Sequence, residues 1–268
     1  MMLLTTYYKK PKQLDEQIEI LKLQKNVVFK RISEEEAKEH LFLINYINLI
    51  SPFKHHFAKK SNNNPFKTEK VNGKHVYEHE VDFADYLDMY YDEKSRYPKI
   101  YESIRKFESV FNSVLSYRIL LHYQIENSVQ FKFFVDDLKT RITKVKQKKR
   151  THYLKVINSF EKKIDDYDSP FIFFDRLSLG QQLMVYTCLS TVIKKQILKD
   201  LFERQISFSV SDIQTFERKL FTLVNIRNCV YHNNSIEILL RYYDIKSRAL
   251  RTSSDRKFFT NLIKQLIE

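Results

Sequence analysis

The stretch that decides the fold is "IYESIRKFESVFNSVLSYRILLHYQI", residues 100–125. Its apolar side chains recur at steps of three and four residues, the spacing of one face of an α-helix. These side chains are Ile104, Phe107, Phe111, Val114, Leu115 and Ile119. A helix with so broad an apolar face is stable in water only when other elements cover it. The stretch therefore predicts a core helix of a helical protein.

The composition of the whole chain favours the same fold class. Two glycines and five prolines in 268 residues leave little material for tight βα turns, phosphate-cradling loops or a many-stranded sheet. This length suits one large domain or two small ones, and such a chain can bury a core without disulfides or metals. Cys188 and Cys229 lie in apolar stretches without zinc-ligand spacing, so we expect reduced core thiols.

The order of the patterns predicts an all-α bundle with an N-terminal extension. One helix begins near Pro11 and spaces Leu14, Ile18 and Leu21 along one face, and a second begins at Ser33 in capping-box register with Glu36 and runs to Pro52. A later helix is predicted from about Ser178 through Phe202. Helical periodicity is lost around residues 52–82, where Asn72-Gly73 predicts a loop or short hairpin. We therefore divide the chain into an N-terminal helical region, 1–82, and a helical domain, 83–268, which together form one compact unit.

The charge balance points to a polyanionic partner. Lys and Arg number 46 against 33 Asp and Glu, a formal charge of +13, with a pI near 9.4. Nucleic acid is favoured ahead of an acidic membrane surface. The chain also has no apolar run approaching the ~20 residues that span a bilayer and no leader peptide, so we expect a cytoplasmic protein without a membrane partner.

The densest basic run is "KTRITKVKQKKR", residues 139–150. Such a run is either a solvated helix face or a set of contacts to RNA phosphates. The chain-wide positive charge favours phosphate contacts. The RNA-binding residues predicted here are Lys139, Arg141, Lys144, Lys146, Lys148, Lys149 and Arg150.

A second decisive stretch, "DIQTFERKLFTLVNIRNCVYHNN", covers residues 212–234. The pattern predicts a helix that begins at Ser211, with Gln214 three residues later as its capping box. The apolar stripe consists of Ile213, Phe216, Leu220 and Val224, and its next positions are Arg227 and Tyr231. Asn233 and Asn234 tolerate left-handed backbone and are expected to end the helix just after His232.

An arginine on an apolar stripe requires an explanation, because a buried guanidinium without a partner costs several kcal/mol. One interpretation is structural: Arg227 pairs with a core carboxylate and His232 caps the helix. The other is functional: Arg227, Asn228 and His232 converge on one polar cleft. The geometry of an isolated helix leaves both interpretations open.

One further motif, "HVYEH" at residues 75–79, fits the His-x-x-Glu-His pattern of inverted zinc peptidases. That chemistry requires the motif to be helical so that both imidazoles reach one metal. The Asn-Gly turn lies within two residues of His75. We therefore expect a chance match and no metal or other cofactor.

The segment "RNCVYH", residues 227–232, resembles the Arg-x4-His motif of the HEPN ribonuclease superfamily. Five further segments extend the resemblance to the Abi-like abortive-infection family, AbiD/AbiF type, over nearly the whole chain: "KKPKQLDEQIEILK", "SEEEAKEHLFLINYINL", "FADYLDMYYDEKSR", "IRKFESVFNSVL" and "FIFFDRLSLGQQLMVYTCLS". The resemblance implies a bundle of HEPN type. "RILLH", Arg118 to His122, has one residue fewer between its ends and is a weaker match.

The resemblance also implies a function. It predicts a metal-independent endoribonuclease of an antiphage abortive-infection or toxin–antitoxin system, regulated by a small non-coding RNA. Arg227, Asn228 and His232 then occupy the catalytic positions. Because one histidine cannot easily perform both proton transfers, a homodimer is expected, in which two copies of the 211–234 helix meet and the apolar seam consists of Ile213, Phe216, Leu220 and Val224. The alternative is a non-catalytic RNA-binding component of a ribonucleoprotein, in which the motif only contacts phosphate.

Overall fold

A computed structural model describes residues 12–62, 64–143, 147–163, 170–202 and 208–239. The prediction of an all-α protein is confirmed, since these ranges hold twelve α-helices and only short strands. The described residues form two compact units. The first contains those within 1–98 and 232–256, and the second those within 99–231.

Within the described ranges, the first unit contains the five helices given below and all six strands. The helices are α1 (Leu14–Lys25), α2 (Glu34–Ile44), α3 (Tyr46–Leu49), α4 (Lys54–Phe57) and α5 (Phe83–Ser95). Ile18 and Leu21 of α1 are buried, as the stripe beginning at Leu14 predicts, and they pack in one core with Phe83 and Tyr86 of α5. The short parallel pair of β1 (Val27–Val28) and β6 (Val81–Asp82) was not predicted.

The predicted insertion consists of two small hairpins. In the first, β2 (Lys60–Ser61) pairs with β3 (Asn64–Thr68), and in the second, β4 (Lys70–Val71) pairs with β5 (Lys74–His75). Asn72 and Gly73 connect β4 to β5 with φ of 51° and 77°, as a two-residue turn requires. Where the hairpins leave and rejoin the unit, the Lys59 N–H donates to the Val76 carbonyl at 2.8 Å.

The second unit consists of helices alone within the described residues. They are α6 (Tyr97–Tyr123), α7 (Ser128–Ile142), α8 (Gln147–Lys163), α9 (Pro170–Asp175), α10 (Leu179–Cys188), α11 (Thr191–Leu201) and α12 (Val210–Tyr231). Phe111, Leu115 and Ile119 of α6 are completely buried, which confirms the core helix predicted from residues 100–125. Helix α12 packs on α10 and α11, and α7 packs on α8 and α10.

Two long helices that the sequence predicts are each broken once. Asn45 adopts a φ of 63° and separates α2 from α3, and its side chain accepts a hydrogen bond from the Asn48 N–H. The segment from Ser178 to Phe202 breaks at Leu189, whose backbone is extended, and Ser190 caps α11. At each break, a polar side chain caps the helix that follows, so the helix is interrupted there although the apolar spacing in the sequence continues.

Candidate active site

Helix α12 begins earlier than its sequence pattern predicts. Ser209, rather than Ser211, accepts the capping hydrogen bond, from the Asp212 N–H at 3.2 Å, and Asp212 accepts from the Ser209 N–H at 2.8 Å. The pair Ser209-x-x-Asp212 therefore forms the capping box instead of Ser211-x-x-Gln214. The predicted end is confirmed, because α12 stops at Tyr231 and Asn233 adopts a φ of 53°.

The buried stripe of α12 drifts away from the predicted positions as the helix proceeds. Ile213, Phe216 and Leu220 are buried as expected, but the stripe then continues through Leu223, Ile226 and Val230. Tyr231, predicted to face inward, is 60% exposed. The helical period does not cause this drift, since at 3.6 residues per turn Arg227 returns to within about 40° of Ile213 around the axis. The elements that pack against each turn decide which of its residues are buried. Arg227 therefore lies at the edge of the stripe rather than on it.

The first half of the stripe is covered by the chain's own second unit. The ring of Phe216 lies 5.3 Å from that of Tyr186 and 5.9 Å from that of Phe111, measured between centroids. Ile213 and Leu220 are 5% and 1% exposed. These side chains are consequently unavailable as an apolar seam between two copies of the helix.

Arg227 is half-buried, with 24% of its side chain exposed, and it makes two described contacts. Its Nε is 3.9 Å from Oε2 of Glu108 on α6, and its guanidinium carbon is 4.9 Å from the centroid of the Tyr231 ring. The Nε atom is buried, and no hydrogen-bond partner for it is found among the described residues. The cation is thus held beside a carboxylate and an aromatic ring without a hydrogen bond from Nε.

Arg118 shows what a structural arginine looks like in the same unit. Its Nε and Nη2 donate to the two carboxylate oxygens of Asp200, the second bond being 2.5 Å long. The two side chains are 23% and 25% exposed, against 24% and 21% for Arg227 and Glu108. At equal burial, only Arg118 makes a bidentate pair. This also gives the "RILLH" segment a structural explanation.

Glu108 has a second role that limits its attachment to Arg227. Its Oε1 accepts a hydrogen bond of 2.8 Å from the N–H of Leu179, the first residue of α10. A carboxylate at a helix N-terminus is stabilised there by the helix dipole. Glu108 is therefore oriented by α10, and its other oxygen faces Arg227 from 3.9 Å.

Asn228 and His232, the other two predicted site residues, are both exposed. Asn228 lies with Arg227 in the last turn of α12, in the second unit, whereas His232 directly follows the helix and belongs to the first unit. In the sequence, the boundary between the two units therefore falls within the motif, between Tyr231 and His232.

A set of side chains that the sequence did not reveal holds the backbone just after His232. We call it the clamp: Glu93, Lys94 and Tyr97, at the end of α5 and the start of α6. Lys94 Nζ donates to the Asn233 carbonyl at 3.0 Å, and the Tyr97 hydroxyl donates to the Asn234 carbonyl. Glu93 Oε1 accepts from the Ser235 hydroxyl at 2.9 Å and from the Glu237 N–H at 3.0 Å.

The clamp fixes residues 233–237 by both their carbonyls and their N–H groups, within the first unit. The only signal for the clamp in the sequence is the cluster of polar side chains in "DEKSRY", residues 92–97, at the end of a helix. Periodicity alone could not predict that these side chains contact residues about 140 positions later.

The predicted RNA-binding run is only partly described. Lys139 lies 3.7 Å from Asp136, and Arg141 donates to Asp137 at 2.7 Å, so both cations face acidic neighbours on α7. Arg150 donates to the Thr143 carbonyl. Lys148 and Lys149 are placed in α8, whereas Lys144 and Lys146 lie outside the described residues.

The remaining motifs take structural positions. His75 of "HVYEH" lies in strand β5 and its Nδ1 is 2.7 Å from the Thr68 hydroxyl, so the segment is not the helix that a zinc peptidase requires. Cys188 is buried, and burial raises the pKa of its thiol to about 12. Within the described ranges, no three His, Cys, Asp or Glu side chains are grouped as metal ligands. Of the helices described, none combines the length and the apolar character that a membrane crossing needs.

Comparison with known proteins gives one match. The family described as "Abi-like protein" matches residues 39–236 of the 268-residue chain. The matched range contains the clamp, Glu108 and all three motif residues. No curated protein and no solved structure matches the chain.

Proposed function

We propose that this chain, which belongs to the Abi-like protein family, is a metal-independent endoribonuclease. Family membership implies abortive-infection defence against phage. Ribonuclease activity, the HEPN character of the bundle and the AbiD/AbiF subtype are our proposals. The observation that carries them is the state of Arg227, a half-buried cation whose Nε has no described hydrogen-bond partner at the end of α12.

Arg227 has the properties needed to stabilise a transition state of phosphate transfer. When the ribose 2′-hydroxyl attacks the adjacent phosphate, the phosphorane gains negative charge. A guanidinium presents several permanently charged donors in a plane, and preorganised donors of this kind are worth several kcal/mol. Tyr231 and Glu108 limit where the guanidinium can go, so the cation is positioned before the substrate arrives.

His232 and Asn228 would supply the remaining functions. An imidazole ring nitrogen can accept or donate a proton, so His232 can accept the 2′-hydroxyl proton or protonate the departing 5′-oxygen. Asn228 can hydrogen-bond to the phosphate or to Arg227 from the same helical turn. The clamp would hold the segment after His232 in a fixed conformation through the carbonyls of Asn233 and Asn234.

A second copy of the chain would supply a second histidine for the other proton transfer. The homodimer that we propose cannot use Ile213, Phe216 and Leu220, because these are buried within the chain. Helix α6 offers another apolar face: Val110, Tyr117 and Leu121 are 55%, 54% and 56% exposed and follow one another at steps of seven and four residues. Such a seam is typical of helices that pair.

The basic run, residues 139–150, would bind phosphates of the RNA other than the one that is cleaved. The net charge of +13 favours an extended polyanion, and a small non-coding RNA partner would account for a basic run distant in sequence from the motif. RNA would then be both the substrate and the regulator.

The deciding experiment is RNA cleavage in the presence of EDTA by the wild-type chain, Arg227→Ala, His232→Ala and the control Arg118→Gln, with folding checked by circular dichroism. We expect cleavage by the wild type and the control and none by the two motif variants, with RNA affinity nearly unchanged. Full activity in His232→Ala would refute the assignment. RNA binding without cleavage by the wild type would support the alternative, a non-catalytic RNA-binding component.

A further inference from the structure

A group of basic and phenolic side chains lies in the first unit, apart from the motif. We call it the Lys25 cluster; its members are Lys25, Lys54, His55, His75 and Tyr77. Lys25, the last residue of α1, donates to the Tyr77 hydroxyl at 3.1 Å and lies 5.1 Å from the centroid of that ring. The ring of His55 on α4 meets that of His75 on β5 edge to face, with centroids 4.6 Å apart.

The positive charge of the cluster is not balanced at Lys25. No ion pair of Lys25 is found in the described ranges, and burial followed by the charge of Lys54 lowers the pKa of Lys25 to about 8. Burial also lowers the pKa of His75 to about 4, assisted by the charges of Lys54, Lys70 and Lys25. Lys22, three residues earlier on α1, is neutralised instead, since it lies 2.7 Å from Glu34 and 3.5 Å from Glu19.

Polar atoms next to the cluster also lack partners. The Nδ1 of His55 and the hydroxyl of Tyr86 are buried, and neither has a hydrogen-bond partner among the described residues. Tyr86 is completely buried, and its ring packs on Phe57 of α4 with centroids 4.7 Å apart. A buried donor left unpaired destabilises the folded state, so these unpaired groups lower the folding stability of the chain.

One kind of ligand could supply both the negative charge that Lys25 lacks and hydrogen-bond acceptors for Tyr86 and His55. Lys25 is a cation with donors to spare, the Tyr86 hydroxyl is a donor, and His55 is a donor in its Nδ1–H tautomer. A carboxylate supplies two acceptor oxygens, whereas a phosphate supplies three or four around a tetrahedral centre with up to two negative charges.

We propose that the Lys25 cluster is a phosphate-binding site, which takes the phosphate of an RNA end or of a free nucleotide. Binding would place the anion beside Lys25 and Lys54 and satisfy the unpaired donors. The site is built entirely from the first unit and uses no residue of the Arg227 motif. It therefore stands whether or not the chain cleaves RNA.

The test measures phosphate binding by the full chain. Inorganic phosphate, a nucleoside 5′-monophosphate, and a short RNA oligonucleotide with either a 5′-phosphate or a 5′-hydroxyl are titrated by calorimetry against the wild type, Lys25→Met and Lys22→Met. Both variants remove one positive charge from the same helix. Lys25→Met should weaken phosphate binding at least about tenfold, the effect of losing one charge-assisted hydrogen bond, whereas Lys22→Met should change it less than about twofold.

The ligands distinguish the two sources of phosphate. If Lys25→Met weakens binding of the 5′-phosphorylated oligonucleotide but not of the 5′-hydroxyl one, the site is assigned to RNA ends. If it weakens only the binding of inorganic phosphate and the mononucleotide, the site is assigned to free phosphate or nucleotide; both results support the proposal. Absence of phosphate binding by the wild type, or an equal loss in Lys25→Met and Lys22→Met, would overturn it. Repeating the titration with Arg227→Ala separates this result from the ribonuclease proposal, because binding should persist when cleavage is lost.

Discussion

Replacing Arg227 by Gln should cost the protein little folding stability, and this separates the functional from the structural interpretation of the residue. The change is best made as a double-mutant cycle with Glu108→Gln, which isolates the coupling between the two side chains. A parallel cycle with Arg118→Gln and Asp200→Asn provides the control, because the two pairs share the same unit and nearly the same exposure.

The expected magnitudes follow from the two geometries. At 3.9 Å, Coulomb's law with an effective dielectric constant of about 20 gives roughly 4 kcal/mol before desolvation and screening. Partly exposed pairs without a hydrogen bond retain little of this, so we expect a coupling of about 0.5–1 kcal/mol for Arg227 and Glu108. The bidentate Arg118–Asp200 pair should show about 2–3 kcal/mol.

The free energy of unfolding is measured by urea titration at neutral pH and low salt. A coupling for Arg227 and Glu108 as large as that of the control pair would mean that Arg227 is a structural residue held by a carboxylate. The case for a catalytic Arg227 would then fail, whatever the motif suggests.

Three further predictions concern other parts of the chain. Because burial lowers the pKa of His75 to about 4, the folded state binds fewer protons than the unfolded state between about pH 6.5 and pH 4. Stability should therefore fall through this window as the pH falls, by about 1 kcal/mol after allowance for solvent screening, and His75→Gln should remove that part of the loss in urea titrations. Tyr97→Phe removes the hydroxyl that reaches Asn234 and should destabilise the protein by about 1 kcal/mol while lowering cleavage more than RNA affinity; an equal loss of both would contradict a positioning role for the clamp. Changing five residues of the basic run to Gln should flatten the dependence of log affinity on log salt by about 0.7–0.9 per lost phosphate contact, and an unchanged slope would identify the run as a solvated face; the five are Lys144, Lys146, Lys148, Lys149 and Arg150.

The sequence predicted the features that depend on local spacing. The core helix α6, the capping box at Ser33 and the Asn72-Gly73 turn are all encoded within a few residues, and the structure contains each of them. The start of α12 was misplaced because Ser209-x-x-Asp212 and Ser211-x-x-Gln214 both fit the capping pattern. Only the backbone conformation distinguishes them.

The surroundings of the candidate site could not be predicted in the same way. Glu108 meets Arg227 across more than a hundred residues of chain, and the clamp meets residues 233–237 across a similar separation. No periodicity encodes such pairs. The arginine was recognised as anomalous on an apolar stripe. Its carboxylate neighbour, its aromatic neighbour and an Nε without a hydrogen-bond partner among the described residues emerge only from the fold.

The hydrogen bond between the Lys59 N–H and the Val76 carbonyl makes the Asn72-Gly73 turn a practical site for protein engineering. Because the two residues are hydrogen-bonded to each other, the chain leaves and re-enters the first unit at one point, and added length at the tip of the second hairpin need not pass through the core. A short peptide epitope or a cysteine for fluorophore attachment could be inserted between Asn72 and Gly73. A chain labelled in this way could be followed in infected cells with its motif and the residues of the Lys25 cluster left unaltered.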